Sequence, residues 1–298
     1  MIDHRDALEQ ARRALRPPED AYERLRKRRD RKFRNRRIAA GTLGLVIVAG
    51  GLSAVVITFR GGSQVGSVAS CSPAQAGLTG WWSGDGGTSD VVAGGDAILH
   101  GDATFGSGRI GQAFVLDGDG DFVSVPHDPD LDFGTADFTV ALWVNFNTTE
   151  GEQILVEKWV QRSFDRDSHQ IGWTFTKLNS NRIGFGLDPG GIASARLDIP
   201  VGTWIHLAAR RSGNMVEILM NGNVVASGTA PEGVVIDAHS RASLKFGHRG
   251  GPDDTPRSID ERGFFLDGRI DEVKVFAGRA LSDEEIRADM GADANGMC

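Results

Sequence analysis

The chain has 298 residues, a formal net charge of −7, 40 glycines and two cysteines. That length allows one or two domains, and two cysteines exclude any framework with more than one disulfide. Residues 1–37 carry 14 Lys+Arg against 7 Asp+Glu, whereas residues 71–298 carry 18 against 33; the acidic part repels phosphate backbones, which excludes nucleic acid as its partner, and the asymmetry calls for a physical boundary.

In chain order, residues 1–37 read as a basic helical tail. ALEQARRAL (Ala7 to Leu15) is built of strong helix formers. Pro17-Pro18 interrupts it, and a second run, rich in Arg, begins at Glu19. Large apolar residues are too few for a core. The tail is expected either to lie against anionic headgroups, where each basic residue contributes about 1 kcal/mol, or to dock a cytoplasmic partner.

Residues 38–59, IAAGTLGLVIVAGGLSAVVITF, form 22 consecutive uncharged residues. A bilayer core needs ~20 apolar helical residues, so the segment is expected to span a membrane once. DRKFRNRR abuts its N-terminal end, and after Arg60 no Lys or Arg follows until Arg109. The positive-inside rule then puts the N-terminus in the cytoplasm and everything beyond Arg60 outside the cell. A cleaved signal peptide fits less well, because both its basic and its apolar regions would be too long. Residues 60–76 are small and polar, a flexible linker. Within them Val68-Ala69-Ser70-Cys71 is arranged like a lipidation site, but it does not directly follow the apolar run.

From Gly77 to Cys298 the pattern is β. Phe138, Val140, Leu142, Val144 and Phe146 alternate on one face of a nine-residue run, the mark of a half-buried strand. QILVEKW, QIGWTFTKL, RIGFGL, TWIHLAA and MVEILM alternate likewise. Asn221-Gly222, between MVEIL and VVAS, supplies the two positive φ angles of a type I′ hairpin turn. Many short strands with glycine-rich turns predict an antiparallel sandwich or jelly roll. Ser282 and Glu285, ahead of IRADM, form a capping box for one closing helix.

GLTGWWSGDG (77–86), GRIGQAFVLDGDGDFVSVP (108–126), DFTVALWV (137–144), GTWIHLAA (202–209), LMNGNVVA (219–226) and GRIDEVKVFAGRALSDEEI (268–286) occur in that order. Together they resemble the laminin G-like jelly-roll domain of the concanavalin A-like lectin and glucanase group. The resemblance implies two antiparallel sheets packed face to face, with the first and last strands adjacent. It also implies a structural calcium near a sheet edge, for which Asp85, Asp90, Asp117 and Asp271 are the candidate oxygen donors. Adjacent ends favour a Cys71–Cys298 disulfide over two free thiols, as does the oxidation liability of a thiol outside the cell. The basic run and anchor at 19–59 separately resemble those of actinobacterial membrane proteins.

LDGDGDF (116–122) lacks the sixth-position glycine and twelfth-position glutamate of an EF-hand. It reads as a glycine-rich hairpin turn between AFVL and FVSV, or as part of a calcium site assembled across the fold. Of the six tryptophans, Trp159 stands apart, because it ends a strand pattern and opens a polar loop. It is the candidate ligand-binding ring, while the others read as packing residues. A second long polar stretch runs from Arg249 to Gly263, and such loops are functional or disordered.

Catalytic residues are not expected. The paired-carboxylate strand motif of glucanases is absent, and Asp271 and Glu272 should point to opposite faces of a strand. His206 has no Ser or Cys partner. The expectation is a membrane-anchored extracellular module that binds glycan or protein without catalysis. The alternatives are a sensor ectodomain signalling through the tail and, more weakly, a glycoside hydrolase.

Overall fold

A computed structural model describes residues 76–92, 95–161, 170–187, 190–249 and 264–291. All of them lie in the second of the chain's two units, Gly66–Cys298. The tail, the apolar segment 38–59, the linker up to residue 75, Cys71 and Cys298 lie outside the described residues. Among the described residues no helix is long and apolar enough to cross a membrane.

Among the described residues fifteen strands make two antiparallel sheets. The first contains β1 (Leu78–Trp82), β3 (Thr104–Ser107), β4 (Gln112–Asp117), β6 (Phe138–Phe146), β11 (Trp204–Ser212), β12 (Met215–Met220), β13 (Asn223–Thr229) and β15 (Asp267–Ala277). The second, in order, is β10 (Gly191–Arg196), β9 (Arg182–Leu187), β8 (Gln170–Leu178), β7 (Gln153–Gln161), β14 (Leu244–Phe246), β5 (Phe122–Val125) and β2 (Ile98–His100). Among the described residues one α-helix, α1 (Asp283–Asp289), packs on the outside of the first sheet.

The alternation read in the sequence builds the sandwich. Phe138, Val140, Leu142, Val144 and Phe146 of β6 enter one core with Val156, Trp173, Phe175, Phe185 and Phe246 of the second sheet. Asn221 and Gly222, at φ 49 and 74, turn β12 into β13. Ser282 accepts from the Glu285 amide while Glu285 reaches back to the Ser282 amide, the expected capping box. Ile286 then buries itself over Ala141, Ala208 and Leu219. β1 pairs with β15, so the first and last strands are neighbours.

Two local readings are overturned. β4 and β5 do not pair, because they belong to different sheets, so LDGDGDF is a crossover between sheets rather than a hairpin turn. Asp271 and Glu272 do not point to opposite faces either. Glu272 has φ 54, and the β15–β6 register shifts between Asp271 and Lys274, so a bulge breaks the alternation. Asp271 lies opposite Trp143, on the outer face of the first sheet. Glu272 accepts from Trp81 Nε1 (2.6 Å) and lies 3.9 Å from Lys274 Nζ on that same face.

Candidate functional site

The outer face of the second sheet carries unlike side chains along its width. One row, read through the strand register, is Ile192, Gly186, Thr174, Glu157, Lys245, Ser124 and Ile98. Toward β9 and β10 this face is bare. Gly184 and Gly186 present no side chain, and Thr174, Thr176 and Ser194 present hydroxyls. The result is a groove of about 290 Å³, bordered by Trp159 and Arg249 on the β7 side, by Ile192 on the β10 side and by Leu178 at one end. That is close to the small end of ligand sites, ~300 Å³.

Trp159, the sequence's candidate ring, is half-buried at the groove's rim. Its position is fixed by Arg249, whose guanidinium carbon is 5.4 Å from the Trp159 ring centroid and 4.6 Å from that of Phe264. Arg249 also meets Glu152 (3.2 Å) and Glu157 (3.5 Å), so its charge is met by two carboxylates. Thr174 Oγ1 donates to Glu157 Oε2 at 3.4 Å. Sequence reasoning missed the floor of this groove. The signal was present: in GWTFT and GFG, glycine and threonine alternate with aromatic residues, so one face is packed and the other left open.

A second cluster lies where the chain crosses between sheets. Asp102, Asp117 and Asp121 bring one carboxylate oxygen each within 4.8 Å of one another. Asp121, 2% exposed, accepts from the amides of Asp102 (2.6 Å) and Asp117 (3.3 Å). Burial, with the side chains of Asp102 and Asp117 close by, pushes the Asp121 carboxyl up to about 7. A Cβ on Gly101 would fill the space where the Gly120 carbonyl and Asp121 Oδ1 converge. An all-oxygen donor set of this kind suits calcium, which takes six to eight oxygens.

Of the expected metal ligands, only Asp117 belongs to this trio. Asp90 Oδ1 accepts from the amides of Trp81 and Val92, both at 2.9 Å. Asp85 Oδ1 accepts from the Gln112 amide (2.7 Å). Asp271 Oδ2 accepts from the amides of Arg109 (2.7 Å) and Ile110 (3.0 Å). Those three aspartates clamp turns beside β1 and β4. Asp102 and Asp121 were not picked out from the sequence, because which oxygens converge at a crossover depends on strand pairing.

On the outer face of the first sheet four titratable groups are sealed in. Asp271, Glu272, Lys274 and His206 are all buried. Burial raises Asp271 and Glu272 to about 7, and burial with the nearby Lys274 lowers His206 to about 3. Lys274 Nζ lies 2.9 Å from Asp289 Oδ1 and ties α1 to β15. His206 is thus a buried neutral residue stacked edge-on against Trp143.

Residues 117–287 match the family model described as the concanavalin A-like lectin/glucanases superfamily. The chain belongs to this family. Domain 4 of AbnA, an extracellular arabinanase from Geobacillus stearothermophilus solved with arabinotriose, is 21% identical with a TM-score of 0.53. The match covers 72% of this chain and 98% of that one. A Trypanosoma rangeli sialidase mutant with trans-sialidase activity is 17% identical with a TM-score of 0.53, over 74% of this chain and 34% of its own. The binding domain of botulinum neurotoxin serotype C1 is 17% identical with a TM-score of 0.51, over 72% and 52%. The chain thus spans about a third of the sialidase and half of the neurotoxin domain. No curated protein matches the chain. The resemblances establish a fold that serves enzymes and binding domains alike.

Proposed function

We propose that the domain is a non-catalytic glycan-binding module, held outside the cell by the apolar segment 38–59, and that it takes a saccharide chain in the groove beside Trp159. The observation that carries this is an aromatic ring at the mouth of a groove floored with glycine and hydroxyl groups. Sugar rings stack their C–H faces on aromatic rings and exchange hydrogen bonds with hydroxyls. The arabinanase domain of the same fold, solved with arabinotriose, supports this reading. Glu157, the carboxylate in the row that crosses the sheet beneath the groove, is engaged by Thr174 and Arg249, which supports binding over hydrolysis.

Calcium is the cation proposed for Asp102, Asp117 and Asp121, where it would staple the crossover and leave the groove's chemistry to the sheet. On the same proposal the basic tail 1–37 lies in the cytoplasm, as the positive-inside rule would have it.

The test is a glycan array probed with the full-length chain, in calcium and again in chelator, beside its Trp159→Ala variant. Selective binding is expected, weakened about tenfold or more by the substitution, which is ~1.4 kcal/mol or more. A folded chain that binds no glycan refutes the reading and redirects the search to protein ligands.

A further inference from the structure

The groove runs along β8 and β9, and its two ends differ in charge. Trp159 lies opposite Gly172 at one end, and Arg182 lies opposite Leu178 at the other. Six residue steps along β8 separate the two rows, ~20 Å at ~3.3 Å per step. Among the described residues lining the groove, Arg249 at the Trp159 end alone carries a charge, and Glu152 and Glu157 meet it there.

The far end is the reverse. Arg182 and Arg196 are direct cross-strand partners in β9 and β10. Register partners share a face, and this pair continues the alternation of Gly184, Gly186, Ile192 and Ser194 on the outer one. Both are exposed. Like charges directly opposite each other destabilise a sheet. Among the described residues neither arginine pairs with a carboxylate. Arg182 instead donates to Ser194 Oγ at 2.5 Å, which brings its guanidinium to a hydroxyl that lines the groove. The domain as a whole is acidic, with 33 Asp+Glu against 18 Lys+Arg in residues 71–298. Two arginines side by side without an ion pair therefore stand against the general charge; Arg182 leans to the groove through Ser194, while Arg196 also borders an adjoining cavity that Glu150 and Asp198 line.

We infer that Arg182 and Arg196 form an anionic subsite at the Ser194 end of the groove, so that the glycan bound there carries an acidic sugar at that end and an uncharged sugar over Trp159. The planar guanidinium fork matches a carboxylate in a bidentate pair. A bound anion would also relieve the repulsion between the two side chains. The Trp159 end, where two carboxylates already meet Arg249, offers no such gain, which gives the ligand a direction along the strands. This inference rests on the groove being the glycan site.

The experiment measures binding of the full-length chain to matched probes: sialyllactose against lactose, oligogalacturonate against its methyl ester, and a sulfated oligosaccharide against its unsulfated parent, with arabinotriose as a neutral reference. An acidic probe is expected to bind about tenfold tighter than its uncharged parent, with the advantage shrinking as salt is raised. Arg182→Gln and Arg196→Gln are expected to abolish that advantage, so that each variant binds the acidic probe no tighter than its uncharged parent; the positions are exposed, and equal melting temperatures confirm the fold. The carboxylate and sulfate arms identify the anion. Equal binding of acid and parent, or variants that weaken both alike, overturns the subsite while the groove reading stands. A folded chain that binds none of the probes overturns the groove reading, and the subsite with it.

Discussion

Asp271 and Glu272 are consecutive in sequence yet share one face of β15, because the positive φ of Glu272 bulges the strand between them. Each keeps one oxygen on an N–H group: Asp271 on the amides of Arg109 and Ile110, Glu272 on the Trp81 indole. The other oxygen of each, Asp271 Oδ1 and Glu272 Oε1, is buried without a hydrogen-bond partner among the described residues. A protonated carboxyl is the better guest in such a place.

The first prediction is a dependence of stability on pH. Asp121, Asp271 and Glu272 are each raised to about 7 by burial, whereas the unfolded values are ~3.9 to ~4.3. Between those limits the folded domain holds protons that the unfolded chain has released. Stability is therefore greatest toward acid and falls as pH rises through about 7, at up to ~1.4 kcal/mol per pH unit for each group. His206 and His127, both lowered, offset part of this below their ordinary value. Urea unfolding at a series of pH values from 5 to 8 measures the slope, with Glu272→Gln expected to flatten it.

Calcium and the proton should compete at the crossover. If Asp102, Asp117 and Asp121 hold the ion, calcium raises the melting temperature more at pH 8 than at pH 6, because the Asp121 proton must leave first. At one hundred times the dissociation constant the gain is ~2.7 kcal/mol. Asp121→Asn should abolish the calcium response. Calorimetry on both proteins, with and without chelator, decides the matter; an unchanged response in the variant places the ion elsewhere.

Gly228→Ala should be costly at a position that looks tolerant. Gly228 sits in β13, and a Cβ there would run into the Ile192 carbonyl oxygen of β10 in the opposite sheet. The edges of the two sheets come together at that point. Forcing them apart is expected to cost ~1–3 kcal/mol, measured by denaturant midpoint, and to weaken glycan binding as well, since Ile192 borders the groove.

Arg249→Ala should act on the groove through Trp159. Removing the guanidinium takes away the cation that lies against the Trp159 and Phe264 rings, and it leaves buried Glu157 without one of its ion pairs. Glycan affinity is expected to fall about tenfold, together with a change in tryptophan emission. Arg249→Lys should restore part of the affinity.

What the sequence disclosed was whatever depends on near neighbours. The two-residue alternation of β6, the Asn221-Gly222 turn and the Ser282–Glu285 cap are each set within a few residues, and each was legible. LDGDGDF misled for the opposite reason. Its flanking strands look like hairpin partners, but pairing is decided by distant strands: β4 joins β15, and β5 joins β14. Trp159 was legible as an exception to its neighbours. Its companions at the groove, Arg249 above all, come from a segment ninety positions on in the numbering, and only the folded sheet brings them together. The bulge at Glu272 leaves no mark in RIDEV, because a positive φ at a glutamate is imposed by packing rather than by preference.

The pairing of β1 with β15 brings Leu78 opposite Phe276, so the first strand begins beside the point where the last strand ends. A body with both doors on one side is a transplantable part. It can be spliced into a surface loop of an unrelated host without stretching that host's frame, and its own ends can be joined and reopened elsewhere, as at Asn221-Gly222, with the sheets intact.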